Sequence, residues 1–151
     1  MADLSAAEFE RLAREGVPYV GLLAVRVERF EPGRVDILLP FQPMLVRPGG
    51  TICGPAMMAL ADIALYGVVL SLVGRVELAV TTDLNIHFLH RARPADLLAR
   101  GRLLRSGRTL VVGEVHIAPL GDDRPVAHAT GTYILPPDGR MPPCTRREEA
   151  A

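Results

Sequence analysis

Residues 56–73 form an almost wholly apolar run in which Asp62 is the single charged side chain. A helix that is apolar nearly all round has no face to give to water, so the rest of the chain must cover it on most sides. The run is close to the length that spans a bilayer. However, Asp62 near its middle costs roughly 2.5–3.5 kcal/mol on membrane-insertion scales. Small or polar residues (Ala56, Ala59, Ala61, Ala64, Gly67, Ser71) and Tyr66 dilute it, and no second apolar span accompanies it. The reading is a buried core helix and no membrane partner. Pro55 suits its first turn and Gly74 its end.

The flanking sequence supplies the cover. Ser5-Ala6-Ala7-Glu8 reads as a capping box, with Phe9, Leu12 and Ala13 at helical spacing before Gly16, so residues 1–17 carry a short N-terminal helix. Residues 22–30 alternate partially and read as a strand. Glu31-Pro32-Gly33 is a turn, and residues 34–39 read as the returning strand. Residues 40–50, with Pro40, Pro43, Pro48, Gly49 and Gly50, read as a loop. After the apolar helix come four strand-like runs at 78–90, 96–105, 109–118 and 125–135, separated by Arg93-Pro94, Ser106-Gly107 and Gly121-Asp122-Asp123. With no βαβ alternation, the sheet is expected to be antiparallel and the fold α+β. About six strands curling round one long helix make one domain over 18–136, and the Pro-rich, charged 137–151 is expected to be a flexible tail.

Charge and cysteine usage exclude several classes. The 17 basic residues, all Arg, balance 17 acidic ones, so no net field favours nucleic acid. Cys53 and Cys144 match no disulfide or CxxC framework, and the four histidines lack metal-ligand spacing, so neither a metal nor a cofactor is expected. The N-terminus lacks the regions of a signal peptide, and a cytoplasmic location is expected.

Three segments carry a family resemblance. Gly49-Gly50-Thr51-Ile52-Cys53-Gly54-Pro55 leading into Ala59-Leu60-Ala61-Asp62 resembles a His-Gly-Gly element followed by a helix reading Leu-Ala-Asp. Residues 80–89 (VTTDLNIHFL) are similar to the strand that follows, and residues 101–114, with Arg105-Ser106-Gly107-Arg108-Thr109, to the next hairpin. The chain thus resembles, over residues 18–135, the hotdog-fold acyl-CoA thioesterases related to the phenylacetate-degradation protein and the mammalian thioesterase-superfamily members. The resemblance implies a curved antiparallel sheet around the central helix, an acyl-CoA substrate, and a homodimer with sites between subunits, which can pair into a tetramer. It carries the acid and the oxyanion glycine onto Asp62 and Gly54. Where the family commonly has His before that glycine, this chain has Cys53, and the upstream Asn of some members corresponds approximately to Arg47.

Thioester hydrolysis needs a base or nucleophile at the carbonyl carbon, which a carboxylate can supply. It also needs a donor at the carbonyl oxygen, which the unpaired N–H groups of a helix start supply. Asp62 suits the first role, although a carboxylate bonded to a hydroxyl such as that of Thr81 would fit the same sequence. Gly54 and Cys53 lie where the second would act, since Pro55 has no N–H. Gly54 and Asp62 are separated by about 12 Å of helix at 1.5 Å per residue, too far to share one carbonyl within a chain. Two antiparallel helices from two chains resolve this.

Other candidates carry two readings each. Cys53 is either a thiol activated by the helix start or a small packing residue. One of Thr81 and Thr82 faces the site, or both serve strand propensity. Arg105, Ser106 and Arg108, with His90 or Arg91, are phosphate contacts for CoA or a solvated surface. Met44, Met57 and Met58 line an acyl pocket, or at least two of them fill the core. Two further functions stay open: a non-catalytic acyl-CoA-binding dimer, motivated by the missing His and Asn, and a hotdog hydratase or dehydratase, for which the loop offers only Gln42.

Overall fold

The computed structural model describes residues 4–137. The expected tail, apart from its first residue, and Cys144 lie outside the described residues. Helix α1 (Ala6–Gly16) starts at the capping box: Ser5 Oγ accepts from the Glu8 N–H at 3.2 Å, and the Ser5 N–H donates to Glu8 Oε2 at 2.8 Å. Its apolar stripe buries Phe9, which stacks on Phe30 at 5.1 Å and meets Tyr66 at 5.9 Å.

Residues 18–23 are a second short helix, α2 (Pro18–Leu23), where Leu22 and Leu23 were expected to begin a strand. Pro18 sits in its first turn, and Ala24, in the left-handed region at φ 53°, ends it. Strands β1 (Arg26–Glu31) and β2 (Arg34–Leu39) form the expected hairpin around Gly33. The loop carries one 3₁₀ turn at Pro43–Leu45, then β3 (Val46–Arg47) paired with β4 (Thr51–Ile52). The apolar helix is α3 (Gly54–Val73), ending at Gly74. Strands β5 (Val80–Phe88), β6 (Leu97–Ser106), β7 (Leu110–Pro119) and β8 (Ala127–Ile134) complete the chain.

Six strands form one antiparallel sheet in the order β1-β2-β6-β7-β8-β5. It wraps α3, burying Leu60, Ala61, Ala64, Leu65 and Val68 against Val35, Ile37, Ala99, Val115 and Ala129. Each fully buried Leu, Val or Ile of this kind stabilises by about 1.5–3 kcal/mol relative to exposure. The helix approaches the sheet closely because Gly101, Gly113 and Gly131 occupy inward positions on three adjacent strands. A Cβ at Gly131 would lie 2.6 Å from Leu65 Cδ1, and one at Gly113 2.8 Å from Leu65 Cδ2. The helix is long and apolar enough to cross a membrane, but 67% of its most apolar window is buried inside the fold. The surrounding sheet thus keeps most of that segment from water.

The register fixes two ends of the sheet. Phe88 pairs with Ala127, which pairs with Ile117, whereas Val80 pairs with Ile134, which pairs with Leu110. Helix α3 starts at the Phe88 end, since a Cβ at Gly54 would meet the Phe88 ring at 3.3 Å. The β6–β7 turn lies at the Val80 end.

Candidate active site

Eight residues into α3, Asp62 is half-buried beside the inner face of β5 and β8. Thr81 Oγ1 and the Tyr133 hydroxyl both donate to its Oδ1 at 2.8 Å, and the Tyr133 hydroxyl also lies 3.1 Å from the Asp62 carbonyl oxygen. One oxygen is thus fixed by two hydroxyls, and the other, Oδ2, is left without a hydrogen bond among the described residues. Burial, reinforced by the Asp62 charge, pushes the Tyr133 hydroxyl pKa far up, so it remains a donor. Tyr66, stacked on Tyr133 at 6.0 Å, is pushed up to about 12, first by burial and then by Glu77.

Asp62, Thr81 and Tyr133 border a recess of about 260 Å³ whose other walls include Val17, Val20, Ile63 and Val80. Glu77 also borders it, and a mostly apolar recess with two carboxylates on its wall has the character of a small-molecule site. Sequence reasoning missed Tyr133 and the α2 residues. Tyr133 reaches Asp62 only through the β5–β8 register, which pairs Thr81 with Tyr133.

Of the two threonines, only Thr81 faces the site. A bulge between Thr81 and Asp83 breaks the alternation, and Thr82, exposed on it, turns its hydroxyl to the Thr132 carbonyl at 3.2 Å. Thr82 is therefore removed from the candidate site.

At the helix start, the Cys53 N–H donates to the Leu45 carbonyl at 2.8 Å, and the Ile52 N–H to the Ala92 carbonyl at 2.8 Å. Cys53 is thus excluded as a second backbone donor. The Gly54 N–H, first of α3, has no acceptor within the helix and none elsewhere among the described residues. The Cys53 side chain packs half-buried against the core and makes no capping bond, the behaviour of a small apolar residue. Arg47, exposed on β3, lines a recess with Gly54, Met57, Phe88, His90 and Arg91. Met57 is buried, whereas Met44 and Met58 are 57% and 40% exposed. Core filling therefore accounts for one of the three methionines, not two.

The proposed phosphate contacts fall at opposite ends. Arg105, Ser106 and Arg108 are exposed near the β6–β7 turn, at the Val80 end. His90 and Arg91 lie at the Phe88 end, in a cleft of about 700 Å³ that also holds Gly49, Gly50, Arg93 and Arg124. Arg124 Nη2 lies 3.3 Å from His90 Nδ1. Val80 and Phe88 are about 26 Å apart along β5 at 3.3 Å per residue, so a single chain cannot bring both groups to one ligand easily.

On the other face of the sheet, Glu114, His116 and His128 come together from β7 and β8. No linear spacing announced this cluster, because it is assembled across two strands.

Residues 49–125 match the family model described as the thioesterase superfamily. The match contains Gly54, Asp62 and Thr81 and stops short of Tyr133. A "putative esterase" of Saccharolobus solfataricus is 29% identical over 113 residues, 75% of this chain and 79% of that protein. A "putative thioesterase" structure from Silicibacter sp. TM1040 is 36% identical with a TM-score of 0.81, covering 91% of this chain and 95% of that one. Zebra fish thioesterase superfamily member 2, at 21% identity, has a TM-score of 0.77 over 89% of this chain and 100% of that one, a likeness of fold.

Proposed function

Because the chain belongs to the thioesterase superfamily and has its hotdog fold, we propose that it hydrolyses an acyl-CoA thioester, with Asp62 as base or nucleophile. The observation that carries this reading is the Asp62 carboxylate itself, one oxygen bonded by Thr81 and Tyr133 and the other unbonded at an apolar recess. Acting as base, Asp62 takes a proton from water, and the hydroxide adds to the thioester carbonyl carbon. The C–S bond then breaks, and the sulfur leaves with the proton as free CoA thiol. Acting as nucleophile, the free oxygen attacks first and the C–S bond breaks to expel CoA thiolate. Water then hydrolyses the mixed anhydride, restoring the Asp62 carboxylate and supplying the proton that the thiolate takes. A backbone N–H at the carbonyl oxygen stabilises the charge that develops in either route.

The Gly54 N–H is suited to that task but lies about 12 Å along its own helix from Asp62. A homodimer resolves the distance. Strand β5 is a sheet edge, and Val80, Phe88 and Leu89 on and beside it are 44–49% exposed. Antiparallel pairing of two β5 edges would set the Val80 end of one chain against the Phe88 end of the other. Asp62 would then face the partner's helix start. The same pairing would draw Arg105 and Arg108 of one chain toward the partner's cleft containing His90 and Arg91, giving both basic groups access to one CoA.

A second reading, a non-catalytic acyl-CoA-binding dimer, is favoured by one observation: Cys53, a packing residue, stands where the resemblance implies His. A panel of acyl- and aryl-CoAs, followed by free-thiol release and by binding titration, tests both. Turnover of at least one thioester is expected. Saturable binding with no turnover would overturn hydrolysis in favour of binding.

A further inference from the structure

We propose that Glu114, His116 and His128 form a binding site for a zinc-like divalent cation on the sheet face turned away from α3. The donor atoms of the three side chains all lie within 4.8 Å of one another. His116 and His128 are direct cross-strand partners, with ring centroids 4.6 Å apart and planes tilted by 48°. Glu114 precedes His116 by two residues and so shares its face of β7. Its Oε2 lies 3.1 Å from His128 Nε2. Two imidazoles and one carboxylate are a recognised donor set for zinc and its neighbours, with bonds of about 2.0–2.2 Å and open positions for water. Closing the set to that length requires the cation to replace the Glu114–His128 hydrogen bond and the exposed His116 ring to turn inward.

The surroundings fit a prepared ligand set. Glu114 is only 8% exposed, an unusual place for a carboxylate, and Arg102 Nε holds its Oε1, leaving Oε2 for the cation. Such an outer partner fixes the orientation of a ligating carboxylate. Two neighbouring positive charges are engaged, Arg102 by Glu114 and Arg100, opposite His116, by Asp123 at 3.5 Å, while Arg34 beside Arg102 has no acidic partner among the described residues. All three ligands rise from the central strands of the sheet, so their Cα positions are rigid. None belongs to the Asp62 site, and the inference stands apart from the hydrolytic reading.

The test uses tag-free chain stripped with a chelator. Zinc chloride is titrated by calorimetry, cobalt chloride by visible absorption, and thermal unfolding is followed with and without zinc. The wild type should take up one zinc per chain, show cobalt bands of nitrogen and oxygen ligation, and unfold at a higher temperature with zinc. His116→Ala, at an exposed position, and His128→Ala should each weaken zinc binding at least about 10-fold. His90→Ala, outside the cluster, should bind as the wild type does. Unchanged zinc affinity in both cluster variants, or no uptake by the wild type, would leave an ion pair beside two packed imidazoles and overturn the proposal.

Discussion

The Tyr133 hydroxyl lies 2.8 Å from Asp62 Oδ1, joining the last strand of the sheet to the one charged residue of the central helix. Thr81 reaches the same oxygen at the same distance from the neighbouring strand. The carboxylate is thereby oriented by two elements that the β5–β8 ladder holds in register.

That pair of hydroxyls leads to a graded expectation. Asp62→Asn should lower kcat by at least about 100-fold in a folded protein. Tyr133→Phe and Thr81→Val should each lower kcat by about 10-fold, the scale of one hydrogen bond to a charged group, with KM nearly unchanged. The double variant should approach Asp62→Asn. Steady-state kinetics on the best thioester of the panel decides this. A double variant with wild-type kcat would mean that orientation of Asp62 is unimportant.

The basic groups should act on the CoA end alone. Arg108→Ala and Arg124→Ala should each raise KM for acyl-CoA while changing KM for a truncated N-acetylcysteamine thioester much less. Equal effects on the two substrates would place these arginines outside phosphate binding.

The capping box of α1 carries a pH signature. Hydrogen bonds from the Ser5 N–H and hydroxyl region hold the Glu8 carboxyl below the ordinary Glu value of 4.5. A folded-state pKa below the unfolded one means that the carboxylate stabilises the fold above the unfolded value, and that this is lost as pH falls through the folded one. Glu8→Ala should therefore lower the thermal midpoint at pH 7, and the gap from wild type should narrow as pH drops below about 4.5. Thermal melts across that range measure it. A gap independent of pH would remove the charge from the capping interaction.

What the sequence revealed, and what it hid, divides along local and long-range interactions. The helix of residues 54–73, its lone Asp62, the capping box at Ser5 and the four later strands all follow from patterns within a few residues, and each stands in the structure. Helix α2 is only six residues long, too short for helical spacing to show against strand-like Leu22 and Leu23. Tyr133 is 71 positions from Asp62, and no local pattern encodes the register that joins them. The bulge that turns Thr82 away is likewise a property of two strands together. Cys53 loses its place as a donor because Leu45, in a loop read as irregular, folds back to accept its N–H. The Glu114, His116 and His128 cluster was hidden for the same reason as Tyr133.

In the proposed site Asp62 of one chain works with the Gly54 helix start of its partner, and mixed dimers test that directly. Asp62→Asn keeps its helix starts. Gly54→Val keeps its carboxylates but fills the space beside the Gly54 N–H, where a Cβ already meets Phe88 at 3.3 Å. Each homodimer should be nearly inactive, since every site lacks one partner. Refolding the two together, with dimers verified by size-exclusion chromatography, gives mixed dimers in which one site is whole. Random pairing makes half the dimers mixed with one working site of two, so activity should return to about a quarter of wild type. No recovery from verified mixed dimers would contradict the shared site and confine both groups' action to a single chain.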